Sequence, residues 1–125
     1  MSTMLLSIKP EFVEKIFDGT KKYEFRKSLF KRNDINCVII YASAPIKRVV
    51  GEFEIDEILS DKVDFIWEIT KNYSGISEAF YMSYFNKRSK AHAIRIGRVT
   101  KYDEPKSLSD FDIQHAPQSF RYISK

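Results

Sequence analysis

A short helix pattern that ends at a glycine sets the layout of the N-terminal part of this chain. In residues 10–18 the apolar side chains recur at helical spacing, and Pro10 stands at the first helical position, where a helix tolerates proline. Gly19 follows, and glycine adopts the left-handed conformation that ends a helix without a steric penalty from Cβ. We therefore predict a helix over residues 10–18, a sharp turn at Gly19 and an extended segment directly after it.

The segment after the turn alternates between apolar and charged side chains. Tyr23 and Phe25 would lie on one face of a strand, because strand side chains have a period of two. The other face would carry three charges of alternating sign: Lys22, Glu24 and Arg26. Such a ladder is either a self-neutralising face in solvent or the lining of a pocket at the junction of helix and strand. In the second case Lys21, at the turn, would point at an anion.

Length and composition are those of a single domain, residues 1–125, large enough to bury a core without disulfides or metal. The one cysteine, Cys37, begins an apolar run and is expected to be a buried strand thiol. No apolar stretch has the length of a membrane span or the position of a signal peptide. We therefore expect a cytoplasmic protein with no membrane partner.

Charge is distributed unevenly along the chain. The net charge is +5 over residues 1–50, −6 over residues 51–85 and +5 over residues 86–125. If the two basic ends meet in the fold, they form one positive surface that attracts polyanions at long range.

The remaining pattern predicts further strands and helices. The strands cover residues 4–8, 35–42, 48–59 and 91–99. Gly51 would permit a bulge or bend of the kind that small barrels need. The helices cover residues 61–72, with Asp61 as N-cap, and residues 77–85, with Ser77 as N-cap. This order predicts an α+β fold, a small mixed β-barrel of five or six strands flanked by two or three helices, and the irregular tail is expected to pack onto it.

The charged segment after the first helix also resembles a known family. The pattern Gly-x-Lys-x-x-Glu-x-Arg is similar to the signature of the ASCH domain, a branch of the PUA-like superfamily, and its fixed positions are Gly19, Lys21, Glu24 and Arg26. Residues 5–10, 38–43 and 49–53 are similar to the same family, so the likeness covers most of residues 4–59. The resemblance implies a PUA-like β-barrel with a cleft beside its first helix, and a module that binds RNA or nucleotides.

Under this interpretation the cleft would hold RNA, another single-stranded nucleic acid or a nucleotide. Eight residues are candidates for binding it: Lys9, Lys21, Glu24, Arg26, Ser43, Trp67, Ser77 and Tyr84. The cations would contact phosphate or a base edge, the carboxylate would orient them or accept from a base amine, and the rings would stack on a base. A tryptophan in such a helix is more often a core residue than a stacking platform, so the core is favoured for Trp67. Ser77 fits a helix cap as well as a phosphate site at the helix N-terminus.

An enzymatic alternative follows from the same resemblance. Some ASCH proteins are amidohydrolases that remove the acetyl group from acetylated cytidine, using the motif lysine, a threonine three residues later and a distant glutamate. Lys21 matches the lysine, but Glu24 stands where the threonine is expected, so the hydroxyl nucleophile is missing there. Glu24 beside Lys21 is expected to form an ion pair, and a hydrolysis with Glu24 as general base remains the catalytic alternative.

A third class is a protein-interaction module of a transcriptional regulator, whose basic face meets an acidic partner. Related domains accompany a helix-turn-helix, but this chain has no spare length for one, so a free-standing ASCH protein of the bacterial or phage type is expected. The sequence has no Gly-rich phosphate loop, no Cys/His set and no Ser-His-Asp arrangement, and we expect no cofactor and no metal.

Overall fold

The computed structural model describes residues 2–123, which form a six-stranded mixed sheet with three α-helices. The strands are β1 (Ser2–Ile8), β2 (Tyr23–Arg26), β3 (Ile35–Ala42), β4 (Arg48–Lys62), β5 (Lys90–Lys106) and β6 (Phe120–Ile123). The helices are α1 (Pro10–Asp18), α2 (Val63–Thr70) and α3 (Glu78–Tyr84), and two short 3-10 turns cover Lys71–Tyr73 and Leu108–Phe111. None of the helices in this range is long and apolar enough to cross a membrane.

The strand order in the sheet is β2-β5-β4-β3-β1-β6. β1 runs parallel to β3, and every other neighbouring pair is antiparallel. The predicted α+β architecture is confirmed, and the sheet resembles a barrel. It is not closed, since within the described residues β2 and β6 form two edges of the ladder.

The centre of the sheet is the core of the molecule. β1 and β3 carry nearly continuous apolar side chains, and a strand flanked by other strands and covered on both faces requires this pattern. Cys37 is buried on β3, as predicted. α1 packs Val13 and Ile16 into the same core, and it ends at Gly19, whose φ of 87° is left-handed as the sequence indicated.

Gly51 lies where β4 is irregular in its pairing with β5. A Cβ atom there would lie 2.5 Å from the backbone oxygen of Thr100 and 2.8 Å from the ring of Phe17. The residue thus permits both the predicted irregularity and a close approach of α1 to the sheet.

The helix predicted over residues 61–72 is wrong at its start. β4 continues to Lys62 in register with β5, and Asp61 pairs with Ala91 instead of capping a helix. α2 therefore begins at Val63, because sheet pairing outweighs the local capping signal. The last helix is α3 with Ser77 as its N-cap, as predicted, and the hydroxyl accepts a hydrogen bond from Phe80 N at 3.1 Å. β6 is a strand that the sequence did not predict.

Candidate nucleic-acid interface

A cleft of about 210 Å³ opens between the start of α1, strand β2 and helix α3. Its polar lining comes from Ser7, Lys9, Lys21, Glu24 and Arg26. Four aromatic rings line the same space: Phe12, Phe25, Phe80 and Tyr84. The cleft therefore combines cations, one carboxylate and aromatic walls, and it lies between the first helix and the sheet.

Lys21 is buried at the inner side of this cleft, with only 2% of its surface exposed. Its Nζ donates a hydrogen bond to the backbone oxygen of Ser74 at 2.8 Å, and it lies 5.3 Å from the ring centre of Phe12 and 5.0 Å from that of Phe25. Burial lowers the pKa of Lys21 to about 8, and the nearby Glu24 carboxylate offsets only part of that effect. The amine can therefore lose its proton in a mildly alkaline solution.

A glycine turn fixes the position of this lysine. Gly75 has a φ of +70°, and a Cβ atom there would lie 2.5 Å from Cβ of Lys21. The turn therefore packs its backbone directly against the aliphatic stem of Lys21, and only glycine allows both this contact and this dihedral angle. Gly75 therefore supports Lys21 in its buried position.

Glu24 and Arg26 form the second polar element of the cleft. Glu24 lies on β2 with 7% of its surface exposed, and its Oε2 is 3.3 Å from Nη1 of Arg26. Arg26 also donates from Nη2 to the hydroxyl of Ser119. Glu24 and Arg26 thus line the cleft, whereas Lys22, the first charge of the predicted ladder, is exposed and does not line it. Among residues 2–123, no group of three or more His, Cys, Asp or Glu side chains is arranged to hold a metal ion.

The C-terminal segment supports two residues that line the cleft, Ser7 and Arg26, and no sequence signal pointed to it. Ser7 donates from its backbone N to the Ser119 oxygen at 3.1 Å and from its hydroxyl to the Pro117 oxygen at 2.6 Å. These bonds hold residues 117–119 across the end of β1, where β6 begins its antiparallel pairing. Because this segment has little periodicity, its role could not be inferred without the fold.

The structure brings five of the eight candidates into the cleft: Lys9, Lys21, Glu24, Arg26 and Tyr84. Ser77 lines a neighbouring depression instead. Ser43 donates its backbone N–H to the oxygen of Ile8 at 3.0 Å and is not among the lining residues. Trp67 packs at 4.8 Å from the ring centre of Tyr81 in the core beneath α2 and α3, away from the cleft.

Phe80 is a cleft residue that the sequence did not single out. It lies nearly parallel to Tyr84, with an angle of 9° between the rings and 6.4 Å between their centres. Lys9 places its Nζ 5.4 Å from the centre of the Phe80 ring. The signal for Phe80 was its spacing of four residues from Tyr84 on a short helix, which puts both rings on one face.

Comparison with known proteins gives the family. The model of the ASCH domain matches residues 6–100. An ASCH domain-containing ribonuclease from Zymomonas mobilis is 32% identical over 127 residues, which cover 97% of this chain and 84% of the relative. The crystal structure of ASCH from Zymomonas mobilis superimposes with a TM-score of 0.89 at 27% identity, over 98% of this chain and 88% of that one.

Two longer relatives come from Ureaplasma parvum. One is named ATP synthase subunit alpha and is 33% identical over 122 residues, and the other is named large ribosomal subunit protein uL22 and is 30% identical over 121 residues. Each match covers 97% of this chain, but the chain spans only 15% and 39% of the respective relatives. The family match, the ribonuclease relative and the shared PUA-like fold agree, and this chain belongs to the ASCH domain family.

Proposed function

We propose that this chain is an RNA-binding module that takes one unpaired nucleotide into the cleft. The observation that carries the proposal is the placement of Lys21, Glu24 and Arg26 along an aromatic-walled cleft. Unpaired RNA bases are recognised through stacking on aromatic rings and hydrogen bonds to their edges, and this cleft provides partners for both.

The size of the cleft supports a ligand part as small as one base. Its volume of about 210 Å³ is below the roughly 300–1,000 Å³ of pockets for drug-sized ligands. A base inserted between the rings would meet the carboxylate of Glu24, an acceptor, and the guanidinium of Arg26, a donor. Lys9, which is exposed at the rim, is placed to meet the phosphate.

The names of the relatives favour RNA as the nucleic acid. One relative is named a ribonuclease and another a ribosomal protein, and both match nearly the whole of this chain. In our proposal the chain shares their association with RNA and serves a regulatory role through binding.

A second candidate function is cleavage of the bound RNA, and the buried amine of Lys21 favours it. Burial lowers the pKa of Lys21 to about 8, so a substantial fraction of the amine is neutral in mildly alkaline solution and available as a general base. In this reaction Lys21 takes the proton of a ribose 2′-hydroxyl, whose oxygen attacks the adjacent phosphorus. The 5′-oxygen leaves with a proton from water, and the product carries a 2′,3′-cyclic phosphate.

The binding experiment is a fluorescence-anisotropy titration with a short mixed-sequence single-stranded RNA at low and near-physiological salt. If Lys21 and Arg26 contact a base edge, Lys21→Met and Arg26→Ala should each weaken binding by about 1–3 kcal/mol. If they contact phosphate, each variant should instead lower the salt slope, which is the slope of log affinity against log salt concentration, by about one. Lys101→Ala removes an exposed charge that does not line the cleft, and it is the matched control. Wild-type affinity in both cleft variants would refute the proposal.

Cleavage is followed on the same RNA with an end label. If Lys21 is the base, cleavage rises with pH up to about 8 and is lost in Lys21→Met. Release of cytidine from acetylated cytidine, lost in Glu24→Ala, would instead favour the amidohydrolase alternative.

A further inference from the structure

We infer that the RNA strand leaves the cleft over the ring of Phe80, so that the chain binds two successive unpaired nucleotides. The inference rests on the proposed function and names its ligand class more narrowly. The ligand would be an unpaired RNA segment of at least two nucleotides, and a free nucleoside would fill only part of the site.

A second depression of about 350 Å³ adjoins the cleft on the other side of Phe80. The two cavities share four lining residues: Lys9, Phe12, Ile76 and Phe80. These residues therefore form the boundary between the two cavities, which we call the ridge. A strand that places one base in the cleft has to cross this ridge to place its neighbour in the second depression.

Phe80 has the geometry of a stacking platform on that ridge. Its surface is 38% exposed, although it is a large apolar residue. Phe12 meets it edge to face, with 5.4 Å between ring centres and an angle of 78°, and Tyr84 lies nearly parallel to it. The ring is thus held in a fixed orientation by its neighbours while part of it stays accessible. Aromatic side chains in this state are what single-stranded nucleic acids stack on, whatever the base.

Two lysines lie where the second nucleotide would need cations. Lys9 lines both cavities, so it is close to any phosphate that links a base in the cleft to a base on Phe80. Lys15 lines only the second depression, and its Nζ donates to the oxygen of Gly75 at 3.0 Å. Glu11 is the carboxylate on this rim, so the two cations outweigh it. The net positive charge of the depression complements the phosphate of a continuing strand.

The test compares wild-type affinities for RNA ligands of increasing length by calorimetry. The ligands are the four nucleoside 5′-monophosphates, mixed-sequence dinucleotides, and dinucleotides whose second ribose lacks a base. We expect the intact dinucleotides to bind about 5- to 100-fold more tightly than the abasic ones, the range that stacking of one base provides.

The variants assign this gain to Phe80. Phe80→Ala should weaken the intact dinucleotide by a larger factor than the mononucleotide or the abasic dinucleotide, because Phe80 lines both cavities. Phe80→Leu should retain the packing against Phe12 and only part of the affinity gained by stacking. Phe65→Ala is the matched control, since Phe65 is 51% exposed on α2 and does not line either cavity. Lys15→Gln should lower the salt slope for dinucleotides by about one and leave that for mononucleotides unchanged.

The outcomes separate this inference from the proposed function. If intact and abasic dinucleotides bind equally to the wild type, or if Phe80→Ala keeps the full gain, the path over Phe80 is wrong and binding in the cleft still stands. If Phe80→Ala weakens mononucleotides and dinucleotides by the same factor, Phe80 serves the cleft alone and the inference is again overturned. If no ligand of any length binds to the wild type, the proposed function itself is wrong.

Discussion

Replacing Lys21 with methionine should make the protein more stable and less able to bind. Methionine keeps the length and apolar character of the lysine stem, but it removes the buried charge. The side chain lies between two aromatic rings, so the sulfur would retain contacts with both. The substitution therefore measures by how much the buried ammonium group lowers the free energy of unfolding.

The lowered pKa of Lys21 gives the size of that cost. A pKa that falls from 10.5 to about 8 corresponds, at about 1.4 kcal/mol for each pH unit, to roughly 3 kcal/mol against the charged form. The variant loses the hydrogen bond to the buried Ser74 oxygen, which costs about 1–2 kcal/mol. The variant replaces contacts between the ammonium group and the rings by contacts between sulfur and the rings. This changes the free energy of unfolding little, because each kind of contact contributes about 0.5–1 kcal/mol. We expect Lys21→Met to be more stable by about 1–2 kcal/mol at pH 7.

The sign of the pH dependence follows from which state holds the proton. Between about pH 8 and pH 10.5 the unfolded chain keeps the proton on Lys21 while the folded chain has released it. The unfolded state then binds more protons, so wild-type stability rises with pH across this window relative to the variant. Below about pH 8 the full cost is present, and near pH 10 less than about 1 kcal/mol of it remains. The advantage of the variant should therefore disappear or reverse by pH 10.

Urea unfolding at pH 7 and pH 10 measures this, with the fluorescence of the buried Trp67 as the probe. Lys22→Met is the matched control, because the neighbouring Lys22 is exposed and its Nζ only lies near the ring of Tyr73. The control should change stability by less than about 0.5 kcal/mol at both pH values. If Lys21→Met is less stable than wild type at pH 7, or if its gain in stability is the same at both pH values, the buried ammonium group does not destabilise the fold as described.

Three further substitutions test the close contact at Gly51, the N-cap of α3 and the position of Trp67 in the core. Gly51→Ala should destabilise the fold by about 1–3 kcal/mol in urea unfolding, because the new methyl group would overlap the Thr100 oxygen and the Phe17 ring; an unchanged midpoint would contradict that close approach. Ser77→Ala should cost about 1 kcal/mol through loss of the N-cap of α3, and hydrogen exchange of the first turn of that helix should show it directly. Trp67→Phe should lower stability but leave RNA affinity unchanged, since Trp67 lies in the core. A loss of RNA affinity in the folded variant would instead indicate that Trp67 contributes to the binding site.

The sequence predicted best where a local pattern and the tertiary structure require the same thing. The helix that ends at Gly19 and the buried strand β3 are both present, because glycine chemistry and apolar runs leave few alternatives. The cleft beside the first helix was also expected, from the charged positions of β2 and the family resemblance. Whether those charges faced solvent or a pocket could not be decided by alternation alone, since both faces of β2 turn out to be largely covered.

What the sequence missed depends on contacts between distant segments. Asp61 has the features of a helix cap, but pairing between β4 and β5 holds it in a strand. Ser119 lies in a tail without periodicity, and only the pairing of β6 with β1 brings it to Arg26. Phe80 is an ordinary apolar residue of a short helix until the position of α3 beside α1 is known.

The pairing of β6 with β1 also has a consequence for how the site is assembled. Thr3 is paired with Ile123, so this ladder joins segments separated by about 120 positions, and closing so long a loop has a high cost in conformational entropy. Residues 117–119 directly precede that ladder, and Arg26 has its serine partner only when this segment is docked against β1. A ligand that contacts Arg26 in the orientation held by Ser119 binds the docked state more tightly, and it therefore favours docking of β6. We therefore expect docking of the last strand to be linked to occupancy of the cleft, and slowed hydrogen exchange in β6 on addition of RNA would report this linkage.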